Sequence, residues 1–496
     1  MFYNFIKFFA SVAIFLFVAW FFISSFEYIT YSPDAIRFIH FWQLGFSGEQ
    51  NFINSLIDAL KASHEYDLSR GRIVLYLIYG LDTIFLFFFK DLYIWLTPAV
   101  IIFVNSYVLA NLIQRNIKNK GIISFLLIFI TIFLNAISLS PLMGTALYAK
   151  YICFSFLLIG ITTPRVYLKS ICFILAGLSD ELGLIGVIIY LFLHLLSSKI
   201  SIFSSFRDLI KASIKPIMIC MTIGFTYISI VYFLSDSSPN QFARYTGRSI
   251  FWFFDPSIWF ERLLGMGWYF EVLFLGYSFK ESIALLCIIA ILLAITIANY
   301  LNQKTNLNIV QRLILIPLIG NRHLLFVMIL MAATFIILPP SLFKYETYSY
   351  PLFLLTCFVF IFFLDLVLKD SRRMNFLMLL LILIKVFNSN EISDEINFSN
   401  KAHHLKDNSV RVEDLRLLNL AAKEIRNNNN YKIFDQINNY QEIDFSGMWY
   451  YSRIDHFRSH IKDTDSFYFP VEGTVRVLSW PYFKRINQEE LTQESL

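Results

Sequence analysis

Two adjacent carboxylates, Asp180 and Glu181, interrupt a stretch that is otherwise apolar enough to enter a lipid bilayer, SICFILAGLSDELGLIGVIIYLFLH. An ionised side chain that faces lipid costs about 2.5–3.5 kcal/mol, so these acids are expected to face a hydrated cavity or a cation. A carboxylate in such a cavity can accept a proton from a reacting hydroxyl group. Gly177 and Gly183, on either side, suit a tight turn. The simpler alternative, a polar turn that reaches the headgroup layer, stays open.

A third acid, Asp34, follows the first apolar segment in EYITYSPDAIRF, directly after Pro33. At this position the carboxylate would lie at the mouth of a membrane cavity, with Arg37 one helical turn further on as a candidate sugar contact. Asp34 could equally cap the N-terminus of a helix that begins there.

Cations that could bind a phosphate lie in the same outer regions. Arg70 and Arg72 bracket a glycine and form a fork that suits a phosphate or a lipid headgroup, although they could instead anchor the next segment at the interface. Arg244 adds positive charge in a later loop, and Lys344 follows a Pro-Pro break that ends a helix. These acids and cations predict a site where a lipid phosphate leaves and an acceptor hydroxyl attacks.

Further candidate sugar contacts are His64, Glu65, Trp252 and Trp268. The segment GEQNFINSLIDALKASHEYDLSRGR begins with one apolar helical face, which is predicted to lie on the membrane surface and leads into His64 and Glu65. The tryptophans belong to an aromatic stretch that could be a stacking platform for sugar rings or an ordinary interfacial belt.

Membrane helices must position these residues. Hydrophobic residues make up 57% and charged residues 16% of the chain, whereas soluble domains are about one quarter charged. Apolar runs of about twenty residues suit helices that cross hydrocarbon. The net charge of +5 is spread over short clusters, a distribution that excludes nucleic-acid binding. All five cysteines lie in apolar segments, so neither a zinc site nor a disulfide framework is expected.

The basic clusters predict the topology, because Lys and Arg in short loops mark the cytoplasmic side. They lie at 114–120, 164–169, 199–215, 304–322 and 369–373. With all of them inside, eleven crossings are predicted near 5–26, 93–113, 121–139, 147–163, 170–178, 182–196, 213–234, 282–300, 323–339, 351–368 and 375–388. Ile73–Phe89 would invert every later loop if it spanned, so it is predicted to dip into the outer leaflet as a helix or a hairpin.

The predicted fold is therefore an all-α polytopic membrane domain over 1–388, with outer loops 27–93 and 236–282, and a soluble domain over 389–496. The N-terminus is expected in the cytoplasm and the C-terminus outside. In the tail, apolar residues recur at helical spacing between Val412 and Ile425. Strand-like runs follow at Ser466–Phe469 and Val475–Leu478, so a small α/β domain is expected.

Three features together resemble the GT-C glycosyltransferases: an acid after the first helix, a second acid at a short later turn, and the stretch SSPNQFAR opening a later outer loop. The eleven-crossing plan with an outward C-terminal domain is similar to the bacterial and phage O-antigen glucosyltransferases that cause serotype conversion. This likeness in plan covers nearly the whole chain.

The resemblance implies an undecaprenyl-phosphate-linked sugar as donor, with glucose expected, and lipopolysaccharide O-antigen as acceptor. The reaction would occur at the periplasmic face of the bacterial inner membrane. Asp34 would be the general base, Asp180 or Glu181 the supporting acid, and Arg244 a phosphate ligand. The attack would be inverting, and cations would stabilise the departing polyprenyl phosphate. No cofactor is required for this chemistry, and whether a divalent metal joins the acids stays open.

Two other functional classes are compatible with many helices and lipid substrates. An O-antigen polymerase or ligase would share lipid-phosphate chemistry but would depend on periplasmic Arg and His and would not need Asp34. A polysaccharide transporter or flippase would show paired inverted halves, and the sequence has no evident internal repeat.

Overall fold

The fold is that of a computed structural model, which describes residues 2–24, 42, 52–67, 71–89, 93–139, 149–199, 206–234, 321–337, 346–368, 371–387, 466–471, 474–479 and 483–486. Its helices are α1 (Phe2–Ser24), α2 (Phe52–Tyr66), α3 (Ile73–Phe89), α4 (Tyr93–Asn116), α5 (Ile122–Phe133), α6 (Ala136–Leu139), α7 (Ala149–Thr162), α8 (Val166–Gly177), α9 (Glu181–Lys199), α10 (Phe206–Leu234), α11 (Arg322–Ile337), α12 (Glu346–Leu368) and α13 (Ser371–Phe387).

Three of these helices contain stretches long and apolar enough to cross a membrane, judged by length and composition: Thr97–Asn116, Pro216–Leu234 and Ser349–Leu368. Shorter apolar helices accompany them, including most of α1 and the whole of α5, α7 and α8. The prediction of a helical membrane protein is therefore supported, whereas the number of crossings stays a prediction.

Helices lie at every predicted crossing except 282–300, which falls outside the described residues. The structure also differs from the sequence prediction in two segments. The predicted crossing 121–139 is divided into α5 and α6, because the side chain of Asn135 accepts the backbone N–H of Ile137 at 2.8 Å and caps a new helix. Ile73–Phe89 is one continuous helix, so the hairpin alternative for this segment is wrong.

The centre of the helical body is aromatic. Phe129 and Phe133 of α5 are fully buried, and Phe103 of α4 packs edge-to-face on Phe129 with ring centroids 5.8 Å apart. A second ring pair joins α7 to α12, where Tyr151 stacks on Tyr350 with ring centroids 3.8 Å apart. Large rings with few rotamers fix the relative positions of α4, α5, α7 and α12.

Small residues bring α8 and α9 close together. A Cβ atom on Gly183 would lie 2.1 Å from the carbonyl oxygen of Ala176, and one on Gly160 of α7 would lie 2.5 Å from the ring of Phe173. Gly177 is the last residue of α8, and a Cβ atom there would touch Ile223 of α10 at 3.0 Å. Gly183 therefore serves close helix packing and not the turn that the sequence predicted for it.

The described part of the basic cluster 114–120 contacts neighbouring helices at one end of the helical body. The backbone N–H of Lys118 donates to Asp365 of α12 at 2.9 Å, and Asn119 donates to Asn375 of α13 at 3.0 Å. At the same end, Arg115 of α4 donates to the carbonyl oxygen of Thr162 at 3.1 Å. The turn that carries Asp180 lies at the other end of the α8–α9 hairpin.

The tail contains a three-stranded antiparallel sheet of β1 (Ser466–Val471), β2 (Thr474–Ser479) and β3 (Phe483–Ile486), in that order. In the first pair Phe467 lies opposite Leu478, and in the second Val475 lies opposite Ile486. Both predicted strands coincide with β1 and β2. The helix predicted between Val412 and Ile425 falls outside the described residues, and the α/β domain stays a prediction.

We predict that Gly183→Ala destabilises the protein, because the added methyl group meets backbone that cannot rotate away. Overpacking of this kind costs about 1–3 kcal/mol, which lowers the thermal unfolding midpoint of the detergent-purified protein. Gly224→Ala on α10 is the matched control, since no atom lies within 4 Å of the added carbon, and its midpoint should stay level or rise. Equal midpoints for the two variants would contradict the close packing of α8 and α9.

Candidate functional site

The candidate site is a network of charged side chains around Arg72, at the start of α3. Its Nη2 atom lies 2.6 Å from Oε2 of Glu181 and 3.1 Å from Oδ2 of Asp180. Its Nη1 atom lies 3.7 Å from Oδ1 of Asp67. One guanidinium group therefore joins the chain that precedes α3 to the turn between α8 and α9.

A second cation, Lys150 of α7, completes the neutralisation of Asp180. Its Nζ atom lies 3.0 Å from Oδ2 and 3.3 Å from Oδ1 of that carboxylate. Next to Arg72, the hydroxyl group of Tyr76 donates to Oδ2 of Asp67 at 2.9 Å. Charge-assisted hydrogen bonds of this length are among the strongest available to side chains.

Local backbone structure explains how these groups are presented. Gly71 has a φ of 69°, a left-handed conformation that suits glycine, and it turns the chain immediately before Arg72. Asp180 caps α9, because its Oδ1 accepts the N–H of Leu182 at 3.0 Å and its carbonyl oxygen accepts the N–H of Gly183. Glu181 occupies the first turn of α9, where the helix dipole favours a negative charge.

The two neighbouring acids have opposite environments. The side chain of Asp180 is 0% exposed, and those of its partners Arg72 and Lys150 are 8% and 6% exposed. The side chain of Glu181 is 57% exposed, although one of its oxygens is held by Arg72. Asp180 is therefore committed to internal ion pairs, whereas Glu181 presents an oriented carboxylate to solvent or to a ligand.

The length of α8 bears on where this carboxylate lies. A helix of 12 residues is about 18 Å long, well short of the roughly 30 Å of a hydrocarbon core. If Arg165, at the other end of α8, lies at one membrane surface, the turn cannot reach the opposite headgroup layer. This length favours the hydrated-cavity interpretation of the two acids over a polar turn at the surface.

An apolar groove opens beside the network. Its volume is about 580 Å³, and Ile73, the residue after Arg72, is part of its lining. Phe225 and Phe233 of α10 form another part and are 74% and 64% exposed. A groove with this lining suits a hydrocarbon chain better than a sugar.

The structure brings together three of the predicted site residues, Arg72, Asp180 and Glu181. His64 lies on α2 and is fully buried, with its ring edge-to-face with Tyr76 at 6.1 Å. Burial lowers the pKa of His64 to about 4, so its ring is neutral at pH 7 where it packs against Tyr76. Glu65 is on the same helix, and its side chain lies outside the described residues.

The other predicted site residues fall outside the described part of the chain. They are Asp34, Arg37, Arg70, Arg244, Trp252, Trp268 and Lys344. For Arg72 the geometry favours a positioning role over the predicted phosphate contact, because both terminal nitrogens already face carboxylates.

Sequence reasoning missed Lys150 and Tyr76, and it did not place Asp67 in the site. The signal for Lys150 was present: a lone cation in the run AKYICFSFLLIG needs an acidic partner inside the membrane. Asp82 was also missed. It lies buried on α3, close to Thr97 of α4.

Within the described residues, no group of three or more His, Cys, Asp and Glu side chains is arranged to hold a metal ion. Comparison of the chain with protein-family models, curated proteins and solved structures finds no match.

We predict that Lys150→Met destabilises the protein strongly, because it leaves the buried Asp180 with one cation fewer. Removing one partner of a buried ion pair costs about 3–5 kcal/mol. The double variant Lys150→Met/Asp180→Asn should recover part of the loss, since asparagine still caps α9 and carries no charge. Thermal unfolding of the purified variants in one detergent measures both effects.

Glu181→Gln serves as the control for this experiment. Because this side chain is more than half exposed, its ion pair contributes about 0–1 kcal/mol. A double variant no more stable than Lys150→Met alone would contradict the pairing of Lys150 with Asp180.

Proposed function

We propose that this protein is a membrane glycosyltransferase that moves a sugar from an undecaprenyl-phosphate donor to lipopolysaccharide O-antigen at the periplasmic face of the inner membrane. The supporting observation is the carboxylate of Glu181, which is oriented by Arg72 and exposed above a buried ion-pair network. A structural turn would need no exposed acid beside one that is already fully paired.

The two acids and Asp34 take different roles in this proposal. Asp34 is the general base, as the resemblance to GT-C enzymes implies. Glu181 faces the bound sugar and stabilises positive charge that develops at its anomeric carbon, as carboxylates do in glycoside hydrolysis. Asp180 is a positioning residue that holds the N-terminus of α9 and, through Arg72, the side chain of Glu181.

The bond changes balance without a cofactor. The base removes a proton from an acceptor hydroxyl, the oxygen attacks the anomeric carbon, and the bond to the donor phosphate breaks with inversion. The departing polyprenyl phosphate takes the electron pair and is stabilised by cations, for which Arg70, Arg244 and Lys344 are the candidates. Arg72 remains with the acids.

The apolar groove supports a lipid-linked donor. It begins next to Arg72, in the residue that directly follows in the chain, and its exposed phenylalanines lie on α10. A polyprenyl chain in this groove would bring its phosphate toward the charged network from the membrane side. A water-soluble nucleotide sugar would gain nothing from such a surface.

The proposal includes the number of membrane crossings and the orientation of the protein in the membrane. Eleven crossings place the N-terminus in the cytoplasm and the C-terminal domain, with the sheet of β1 to β3, in the periplasm. The basic end of the helical body then faces the cytoplasm, as expected from the distribution of Lys and Arg, and the turn with Asp180 and Glu181 opens toward the periplasm.

We predict that Glu181→Gln and Asp34→Asn each reduce sugar transfer by at least about 100-fold, the scale of a lost catalytic carboxylate. Transfer of labelled sugar from a synthetic polyprenyl-phosphate donor to O-antigen in isolated membranes measures the effect. Asp58→Asn, at an exposed acid on α2, is the control and should retain full activity. Full activity of Asp34→Asn would favour a polymerase or ligase over this class of transferase.

Comparison of O-antigen from cells with and without the protein tests whether the protein is a glycosyltransferase, a polymerase or a transporter. We expect one added branch sugar per repeat in the cells that carry the protein, measured by NMR of the purified polysaccharide. A change in chain length without a new branch would indicate a polymerase, and unchanged composition with altered surface delivery would indicate a transporter.

A further inference from the structure

The end of the helical body opposite Asp180 gathers cations from separate helices. Arg115 lies at the end of α4, Lys169 near the start of α8, and Arg322 and His323 at the start of α11. We infer that Arg115, Lys169 and Arg322 form a binding site for the phosphate of an anionic phospholipid. This inference is independent of the transferase proposal.

Specific contacts fix the position of these cations. Nη1 of Arg322 lies 2.9 Å from Nδ1 of His194 on α9. Because a guanidinium group can only donate, this ring nitrogen must accept, which requires a neutral His194. Lys169 lies over the ring of Tyr190, with Nζ 5.7 Å from its centroid, within the range of a cation–π interaction.

His323 stands at the centre of the cluster. Its Nδ1 atom lies 3.2 Å from Oδ1 of Asn116, the last residue of α4. Its ring interacts electrostatically with Arg322, Arg115 and Lys169. The three cations therefore lie at the same end of the helical body, near the contact between α4 and α11.

The described surroundings of these cations do not neutralise their charge. Among the residues that the structure describes, no carboxylate pairs with Arg115, Lys169 or Arg322. Like charges held together raise the energy of the folded protein, and an anion that binds between them removes this cost. Arg and Lys side chains together provide the hydrogen-bond donors and the charge that a phosphate monoanion requires.

The surroundings favour a lipid phosphate over a free one. Asn116 ends a stretch apolar enough to span the membrane, so the cluster lies at a membrane boundary. Leu325 and Ile329 follow Arg322 along one face of α11, where Leu325 is partly buried and Ile329 is 37% exposed. Acyl chains can pack on this face while the headgroup reaches the cations, an arrangement typical of basic sites between membrane helices.

Native mass spectrometry of the full-length protein tests the inference. The protein is purified in detergent, supplied with phosphatidylglycerol or phosphatidylcholine, and scored for retained lipid. We expect retention of phosphatidylglycerol over phosphatidylcholine. Arg322→Gln and Lys169→Gln should each weaken that retention about fivefold, the effect of one cation at a lipid headgroup.

Two further variants serve as controls in this experiment. Lys118→Gln removes the same charge from an exposed side chain at the same end of the body and should leave retention unchanged. Arg322→Lys preserves the charge and should retain most of the binding, which separates loss of the site from loss of the fold.

Three outcomes would overturn the inference. Equal weakening by Lys118→Gln would mean that the lipid responds to the overall charge of this end. Equal retention of phosphatidylcholine would mean that only the apolar face binds. Displacement of phosphatidylglycerol by millimolar inorganic phosphate would show that a free anion is the ligand.

Discussion

The fold depends on the neutralisation of one buried carboxylate. Asp180 is completely enclosed in an apolar helical body and would be unstable there as an isolated ion. Arg72, at the start of α3, and Lys150 of α7 approach it within 3.1 Å, and the N–H group of Leu182 at the start of α9 donates a further hydrogen bond to its Oδ1 atom. This requirement fixes α3 and α7 against the α8–α9 hairpin in a way that apolar packing, which tolerates sliding, does not.

The same hairpin separates two regions of opposite character. Glu181 and His194 lie on one helix, 13 positions apart in the sequence and therefore separated by about 20 Å. Asp67 and Asp180 lie close to Glu181, whereas Lys169 and Arg322 lie close to His194 and form no ion pair with a described carboxylate. The hairpin arm α8 is too short to cross a bilayer, so if Arg165 lies at one membrane surface, the acids lie at a depth where the protein must provide their water and counterions. In the proposed function, the exposed carboxylate of Glu181 is available there for chemistry on a lipid-linked substrate.

The sequence indicated most site residues where a charged side chain lies in an apolar stretch or beside a turn. Asp180 and Glu181 stand out because their neighbours are apolar, and Arg72 stands out beside a glycine that turns the chain. Lys150 carries the same conflict, but its partner is 30 positions away in the chain, and no periodicity links the two. Gly183 was misassigned for a related reason: a glycine that permits close helix packing and a glycine that makes a turn look alike until the neighbouring helix is placed.

The adjacency of the two acids has a geometric explanation. At the start of a helix, the capping side chain folds back onto the free N–H groups, whereas the next side chain points away from them. Two consecutive acids at this position must therefore diverge, one into the protein and one outward. Arg72 contacts both, so the buried acid determines where the arginine lies and the arginine determines where the exposed acid lies. A single acid here could be either buried and neutralised or exposed to a ligand. Because Asp180 and Glu181 share Arg72, the first is buried and neutralised while the second stays exposed.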